Sequence, residues 1–479
     1  MNIRTTKEMS RNVLFVSVLL VACVVAATAQ TDTRIDGVVQ PFISSQKIPA
    51  AGVAVVRDGK LVVAKGYGAA DLDAGTPVTE NTGFQIASVT KQFTAAGIML
   101  LVEQGKLKLD DPLSRFLSDV PPTWKVVTIR QLLNQISGIP NYTAGGKLVN
   151  DKVYTGSEIL GLVRDLPVDF EPGTKWAYSN TNYFLLGQVI EKVSGKSYPE
   201  FMRARVFKPL GMTSTVVNTS GLQIQNAAVG YSHPKGKWQK AKLDDPSQPF
   251  AAGAIVSTAA DMAKWALAVN EGSLLKKSSW DEAFATGKLT DGKPTGYGFG
   301  WRLGKIGAVD YLGHSGGISG FSSYHLRFPA EKLSVVVLVN TTSGAPEDLA
   351  FQIAGLYLPN VATALAAKDA AKNVAPIADS DPETTKFLRG VFEGMLRGEG
   401  DAALFSAEMQ KVMFPDAIKQ LQGPLGGEVL KSFDLLTAEN AEGTKRRLYR
   451  GTFESGLKVR ATFALDAQGK IAAANVRPE

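Results

Sequence analysis

The sequence has very few of the residues that metal and thiol sites require. Its 479 residues include one cysteine, Cys23, and three histidines, His233, His314 and His325. The histidines form no H-E-x-x-H motif and no Cys/His spacing of the kind that binds zinc. We therefore expect no metal and no cofactor. Disulfides and cysteine nucleophiles are also excluded once the segment that holds Cys23 has been removed.

Long basic runs are absent too. The net charge is +7 and the charged fraction is 20%, but no block of consecutive basic residues with interleaved aromatic residues occurs. The positive charge therefore indicates a mildly basic surface, and we expect no nucleic-acid partner. The hydrophobic fraction of 44% is typical of a globular protein, and the length suffices for one large core and a smaller one.

The N-terminal segment has the layout of a signal peptide. Three basic residues precede an apolar run at 13–27, and Ala27 and Ala29 are small residues at the −3 and −1 positions of a cleavage site. The run is short for a membrane span. This pattern predicts a signal peptide over 1–29 and a periplasmic or secreted protein. The alternative is lipidation of Cys23, which ends a Leu-Val-Ala-Cys sequence; a membrane attachment is expected only in that case.

The rest of the chain reads as two folded parts. The first, at 31–360, opens with a hairpin around Asp58-Gly59, continues through a helical middle and ends in the strand-like runs GYGFGWRL, SSYHLRF and LSVVVLVN. Strands at both ends with helices between them predict an α+β domain whose terminal strands share an antiparallel sheet.

The second part is smaller. An alanine-rich polar segment at 361–383 is typical of a linker or a loosely held helix. Residues 384–479 then combine helical segments with alternating strand patterns such as GLKVRATFAL. We predict a small α+β domain of helices on one curved antiparallel sheet, and this part contains no catalytic cluster.

One candidate nucleophile is Ser315, because Gly313–Gly317 fits the G-x-S-x-G pattern. A nucleophile of that type needs a helix directly after the serine. The residues that follow are GGISGFSSYHLRF, which is glycine-rich and then strand-like. The only later histidine, His325, lies within that predicted strand. We therefore interpret Ser315 as a residue beside an active site.

A second candidate comes from the S-x-x-K pattern, which occurs at Ser44, Ser88 and Ser273. Only Ser88 opens a long apolar-rich helix, which the sequence predicts to end at Gly105. A serine at a helix N-terminus has backbone N–H groups beside it, and Lys91 would lie one turn further along the same face. In a desolvated cleft such a lysine can act as a base. The alternative is a helix-capping serine with an incidental surface lysine.

A third motif is Tyr178-Ser179-Asn180, the only Y-x-N in the sequence, in a predicted loop before a helix. A tyrosine near an ammonium group can exchange a proton with a serine, and an asparagine can donate to a bound carbonyl. Taken alone, the pattern is more typical of a packed tyrosine beside an asparagine turn.

Together and in this order, the three motifs resemble those of the serine β-lactamase and penicillin-binding DD-peptidase superfamily. The likeness is strongest to its class C-like branch, which also contains carboxylesterases and D-aminopeptidases. It covers about 40–358 and includes the segments LDDPLSRFL, LLNQISGIPNY, FKPLGMTST and AAGAIVSTAADMAKW.

The resemblance implies a role for each motif residue. Ser88 would be the acylated nucleophile, activated jointly by Lys91 and Tyr178. Tyr178 would also pass a proton to the leaving group, and Asn180 would hold the substrate carbonyl. The backbone N–H groups of Ser88 and Gly317 would form the oxyanion hole.

The family's third motif, K-T-G, corresponds here to His314-Ser315-Gly316, which would line the substrate site. Histidine replaces a lysine that helps to bind the substrate carboxylate in lactamases and peptidases. Imidazole is only partly charged near neutral pH, so this departure argues against efficient β-lactam hydrolysis. His314 would either meet an anionic substrate group as imidazolium or only position the strand by hydrogen bonding. Gln135 stands where many relatives have histidine, and we expect only a local packing change there.

Two functions follow from these observations. In the first, the protein is an exported serine hydrolase that acts on an ester, a peptide or a D-amino-acid amide. In the second, it binds cell-wall peptides or penicillin with weak or no turnover, while its C-terminal domain recruits a partner. A complete set of Ser88, Lys91, Tyr178 and Asn180 favours the hydrolase, because a binding protein does not need an activated nucleophile.

Overall fold

The computed structural model describes residues 32–46, 48–372, 374–414, 425, 427–441 and 443–479. The predicted signal peptide, with Cys23, lies outside these residues. The chain divides between Pro359 and Asn360 into two compact units. Within the described residues, every helix is too short or too polar to cross a bilayer.

An antiparallel sheet forms the centre of the first unit. The strands of this unit are β1 Ala50–Arg57, β2 Lys60–Asp71, β3 Thr76–Pro77, β4 Phe84–Gln85, β5 Val216–Val217, β6 Tyr231–Ser232, β7 Gln239–Lys240, β8 Ile255–Ser257, β9 Arg302–Ile306, β10 Val309–Ile318, β11 Phe321–Phe328 and β12 Leu333–Val339. Seven of them make the main sheet, in the order β3-β2-β1-β12-β11-β10-β9. Val55 of β1 lies opposite Val335 of β12, which confirms that strands from the two ends of the domain share one sheet.

Helices cover both faces of this sheet. Those of the first unit are α1 Thr33–Ser45, α2 Thr90–Glu103, α3 Ile129–Leu133, α4 Gly156–Gly161, α5 Asn180–Ser194, α6 Tyr198–Met202, α7 Phe250–Gly253, α8 Ala259–Glu271, α9 Lys277–Phe284 and α10 Pro346–Gly355. Helix α8 packs on one face, while α10 packs on the other and contacts α1. Strand β12 is buried along its whole length, as expected for a strand covered on both sides.

The helix that carries the S-x-x-K motif lies at the centre of the unit. A 3₁₀ turn at Ala87–Val89 leads into α2, and Gly105 follows the helix with a φ of 68°. Almost every residue of α2 is buried, which explains why its sequence is apolar all round and lacks a polar face. Ala87 has a φ of 46°, a conformation that is costly for a residue with a side chain and that is concentrated at functional sites.

One strand prediction was wrong in part. The run GYGFGWRL becomes a strand only at Arg302, the first residue of β9. Gly296 and Gly300 before it have φ angles of 71° and 79°, so the chain turns where a strand would have continued. A Cβ atom on Gly300 would lie 2.8 Å from the backbone carbonyl carbon of Lys91. The turn therefore packs directly on α2.

The second unit is a small α+β domain. Its helices are α11 Pro359–Lys372, α12 Pro382–Leu396 and α13 Ala407–Met413, and its strands are β13 Leu430–Ala441, β14 Thr444–Phe453, β15 Lys458–Leu465 and β16 Ile471–Pro478. The strands form an antiparallel sheet in chain order. Phe392 of α12 packs on Phe433 of the sheet, with ring centroids 5.5 Å apart. The predicted fold class, α+β in both parts, is confirmed.

Candidate active site

The structure brings Ser88 and Lys91 into contact. Ser88 lies in the 3₁₀ turn before α2, and Lys91 lies in the first turn of the helix. Lys91 Nζ is 3.0 Å from Ser88 Oγ. The lysine is therefore within hydrogen-bonding distance of the serine hydroxyl, which a surface lysine would not maintain.

The surroundings of Lys91 disfavour its charge. Its side chain is fully buried, and no carboxylate among the described residues lies within ion-pair distance of it. Nζ lies 2.8 Å from both Asn180 Oδ1 and the backbone oxygen of Ala252. Desolvation by burial lowers the pKa of Lys91 well below its usual value. Burial therefore favours the uncharged amine form of Lys91, which can accept a proton.

Tyr178 completes the group around the serine. Lys91 Nζ lies 4.9 Å from the centre of the Tyr178 ring. Burial raises the pKa of Tyr178, while the hydroxyl of Ser88 and the charge of Arg302 offset part of that rise. Tyr178 is therefore a protonated phenol near neutral pH, so it is equipped to donate a proton beside Ser88.

Gln135 holds the segment from Tyr178 to Asn180, where the loop enters α5. Gln135 Oε1 accepts from the backbone N–H of Ser179 at 3.0 Å and from Asn182 Nδ2 at 2.6 Å. Gln135 itself is buried with a φ of 60°. Gln135 therefore does more than make the local packing change expected from the sequence, because its hydrogen bonds fix the position of the Tyr178-Ser179-Asn180 segment.

The third motif lies on β10, along the edge of the same cleft. Strand β9 pairs with β10 only from Val309 to Gly313. Beyond Gly313, no strand in the described part of the chain pairs with that side of β10. The backbone from Ser315 to Ile318 is therefore open on one side, as required for an extended substrate that adds to a strand.

The residues of the third motif lie at different depths. Gly316 is buried, and a Cβ atom there would lie 2.2 Å from the backbone oxygen of Ile86, so only glycine allows β10 to approach the turn that carries Ser88. Gly317 is exposed and lines one cavity together with Ser88. Ser315 is exposed and lies within a strand that no helix follows, which agrees with its interpretation as a neighbour of the site.

His314 lies beneath the strand and away from the cleft. It is 1% exposed, and its two ring nitrogens are 2.9 Å from the Tyr297 hydroxyl and 2.7 Å from the backbone oxygen of Ser315. Burial and the neighbouring Lys91 lower the pKa of His314 to about 3. An uncharged imidazole with both nitrogens engaged cannot receive a substrate anion. The geometry favours the second interpretation, in which His314 positions β10.

We expect His314 to make the first unit sensitive to acid. The pKa of His314 is about 3 in the folded protein, against a usual value of 6.5, so the unfolded chain binds more protons below pH 6.5. The contribution of neutral His314 to the free energy of unfolding is fully present above pH 6.5. It is lost as the pH falls toward 3, by about 1.4 kcal/mol per pH unit. Between pH 7 and 5, wild type should lose about 2 kcal/mol more than His314→Gln.

Tryptophan fluorescence during urea unfolding measures this difference, because all six tryptophans lie in the first unit. His233→Gln is the matched control, since His233 is only partly buried. An equal loss in wild type and His314→Gln would contradict the neutral, buried state of His314.

A cavity of about 260 Å³ opens above Ser88. Its wall contains Asn180, Gly317 and a carboxylate that the sequence analysis missed, Asp244. Asn150 and the backbone N–H of Ser319 donate to Asp244 at 2.6 and 3.3 Å. No lysine or arginine among the described residues forms an ion pair with Asp244, so it presents a negative charge to the cavity.

A cation, Arg302, lies near Tyr178. The guanidinium carbon of Arg302 is 5.8 Å from the ring centre of Tyr178 and 5.4 Å from that of Trp176. Arg302 is exposed, and the described part of the chain supplies no carboxylate within ion-pair distance of it. No sequence motif identifies Arg302 or Asp244. Arg302 lies here because β9 pairs with β10 in a register that puts Arg302 opposite Gly313. The described residues contain no cluster of three or more metal-binding side chains.

Comparison with known proteins identifies the family of the first unit. A Beta-lactamase family model matches residues 35–356. Penicillin-binding protein 4* of Bacillus subtilis (strain 168) is 32% identical over 311 residues, which cover 60% of this chain and 67% of that protein. The chain spans about two thirds of the length of the curated relatives that it matches.

Solved structures show the same fold. D-amino acid amidase from Ochrobactrum anthropi SV3, complexed with L-phenylalanine amide, is similar with a TM-score of 0.59 and 28% identity, covering 70% of this chain and 99% of that one. The octameric penicillin-binding protein homologue from Pyrococcus abyssi has a TM-score of 0.61 over 93% of this chain and 98% of its own, and at 23% identity it shows the fold alone. The resemblance predicted from the motifs is confirmed: the chain belongs to the beta-lactamase family, the serine hydrolases and penicillin-binding proteins that share this fold.

Proposed function

We propose that this protein is an exported serine hydrolase that cleaves an ester, peptide or D-amino-acid amide bond through an acyl-enzyme on Ser88. The observation that carries this proposal is the 3.0 Å distance between Ser88 Oγ and Lys91 Nζ, at a lysine that is fully buried. A nucleophile and an uncharged base in contact are the minimum that acyl transfer requires.

The contacts of Lys91 suit a neutral amine. Such an amine has two hydrogens to donate and one lone pair to accept with. The two hydrogens go to Asn180 Oδ1 and to the backbone oxygen of Ala252, each 2.8 Å away. The lone pair then faces Ser88, whose hydroxyl donates to it. Lys91 is accordingly the general base that takes the Ser88 proton as Oγ attacks the substrate carbonyl carbon.

Tyr178 then acts as the acid. The attack gives a tetrahedral oxyanion, to which the backbone N–H groups of Ser88 and Gly317 donate. The bond from carbon to the leaving nitrogen or oxygen breaks, and the leaving group takes the Tyr178 phenol proton. Lys91, now an ammonium group 4.9 Å from the Tyr178 ring centre, returns a proton to the phenolate. Water hydrolyses the acyl-enzyme by the same steps in reverse.

Two charges define the substrate class that we propose. Asp244 in the cavity suits an ammonium group on the acyl side, as in an amino-acid amide or a peptide N-terminus. Arg302, beside the proton donor Tyr178, suits a carboxylate on the leaving group. The amidase from Ochrobactrum anthropi, named for its action on D-amino acid amides, supports this class. His314 contributes no charge to recognition.

Replacement of Asp244 by asparagine tests the ammonium site. The carboxylate contributes a charge-assisted hydrogen bond, so kcat/KM for D-phenylalanine amide should fall roughly 10- to 100-fold. The N-acetylated amide, which has no ammonium group, should change by less than about twofold. Asp151→Asn is the control, because Asp151 is exposed and paired with Lys242. Equal losses for both substrates would remove Asp244 from recognition.

A substrate panel tests the function as a whole. p-Nitrophenyl esters, nitrocefin and D-amino-acid anilides should reveal at least one substrate that wild type hydrolyses and Ser88→Ala does not. We expect nitrocefin to be the poorest of them. If labelled penicillin binds to wild type and stays bound while no substrate turns over, the protein is instead a penicillin-binding protein with a retained site.

A further inference from the structure

A second cavity, lined entirely by residues of the first unit, lies apart from the active site. It has a volume of about 650 Å³ and lies where the end of α8, helix α9 and strands β9 and β10 meet. None of its lining residues lines the cavity above Ser88. Its role is therefore independent of the proposed hydrolase function.

A buried arginine forms part of its wall. Arg327 of β11 is 8% exposed, and Leu303 of β9 and Leu312 of β10 lie beside it on the same face of the sheet. Arg327 Nε donates to Asn270 Oδ1 at 2.8 Å. The described residues offer no acceptor to its two terminal nitrogens and no carboxylate within ion-pair distance. Burial of a charge without a counter-charge is costly. Burial lowers the pKa of Arg327 only to about 10, so the guanidinium is still charged near neutral pH.

Asn270 holds the Arg327 side chain in place. Its Oδ1 accepts from Arg327 and from the Ser334 hydroxyl at 3.1 Å. Its Nδ2 is buried and has no partner among the residues that the structure describes. Buried polar groups are normally satisfied. The two terminal nitrogens of Arg327, which have no acceptor among the described residues, form a fork of donors that matches a carboxylate.

The remaining walls are aromatic. The Phe284 ring lies 4.5 Å from the guanidinium carbon of Arg327. Trp280 stacks on Phe284 with a centroid distance of 5.3 Å and an interplanar angle of 13°, and Tyr311 lines the other side. These flat apolar surfaces suit an aromatic or other apolar body, which would hold the anionic end of a ligand against the arginine.

The rim limits the charge of the ligand. Asp281 and Asp310 are on the rim but pair with Lys277 and Lys305, each at 2.7 Å. Glu271 has no ion-pair partner in the described part of the chain. Because Glu271 repels additional negative charge, the cavity suits one carboxylate better than a dicarboxylate or a phosphate.

We propose that this cavity binds an apolar monocarboxylate, with the carboxylate on Arg327 and an aromatic body against Phe284 and Trp280. Calorimetric titration of the full chain with 3-phenylpropionate tests the proposal. We expect saturable binding of 3-phenylpropionate. The affinity should be at least roughly tenfold lower for 3-phenylpropionamide, which lacks the charge, and for the dianion of phenylphosphonate, which carries two.

Two arginine variants locate the ligand. Arg327→Gln should weaken binding of 3-phenylpropionate at least about tenfold, whereas Arg302→Gln at the active site should leave it unchanged. Leu303→Glu places a carboxylate in the half-buried wall beside Arg327 and should also abolish binding, so the test stands if circular dichroism shows that Arg327→Gln does not fold. Absence of binding at about 10 mM ligand, equal binding of the amide, or loss in Arg302→Gln alone would overturn the proposal.

Discussion

Replacing Ser88 with alanine is expected to lower kcat for the best ester substrate by at least about 10⁴-fold, with little change in the melting temperature. The reason is that Ser88 Oγ is the only hydroxyl oxygen within hydrogen-bonding distance of Lys91 Nζ in the described residues. Loss of the oxygen removes the acyl-enzyme route and leaves only the weaker effect of the oxyanion donors. A stopped assay with a p-nitrophenyl ester measures kcat.

Two further serines serve as controls for this result. Ser273 begins another S-x-x-K pattern but is exposed, and Ser315 lies in the G-x-S-x-G pattern on β10. Ser273→Ala should retain full activity, and Ser315→Ala should retain most of it. An inactive Ser315→Ala together with an active Ser88→Ala would assign the nucleophile to β10 and contradict the site described above.

Replacing Lys91 with methionine is expected to have two large effects. It should lower kcat by roughly 10²- to 10⁴-fold, because the general base is lost. It should also change the pH dependence of stability. The pKa of Lys91 is well below 10.5 in the folded state, so the unfolded chain binds one more proton up to about pH 10.5. The free energy of unfolding of wild type should therefore rise relative to that of Lys91→Met between pH 7 and 9.

Fluorescence-monitored urea unfolding at these two pH values measures the second effect. Lys91→Arg separates charge from basicity, because arginine keeps a cation and cannot lose its proton; we expect it to be inactive. Lys276→Met, in the exposed S-x-x-K pattern, should show neither effect. A constant difference between wild type and Lys91→Met from pH 7 to 9 would mean that Lys91 stays protonated and is not the base.

The sequence predicts those parts of the site that depend on local order. Ser88 and Lys91 are three residues apart at the start of one helix, so their contact follows from helical geometry alone. The hairpin at Asp58-Gly59 is equally local, and both residues have the positive φ values, 49° and 70°, of the predicted turn. Asn180 needed the family resemblance, because its approach to Lys91 spans 89 positions in the chain.

The other parts depend on tertiary packing that no local pattern records. The sequence GYGFGWRL predicts a continuous strand, but the chain turns at Gly296 and Gly300 and β9 begins only at Arg302. This late start places Arg302 beside Tyr178. Asp244 lies in a segment without regular structure. The charge state of His314 was open at the sequence level because an imidazole titrates near neutral pH, and only its burial resolves it.

Mass spectrometry of the protein labelled at its nucleophile tests the central claim most directly. Wild type would be mixed with a fluorophosphonate, digested with trypsin and sequenced. Residues 66–91 form one tryptic peptide with a single serine, Ser88, and residues 306–327 form another that contains Ser315. We predict the adduct on Ser88 in the first peptide. An adduct on Ser315, or no adduct at all, would contradict the account.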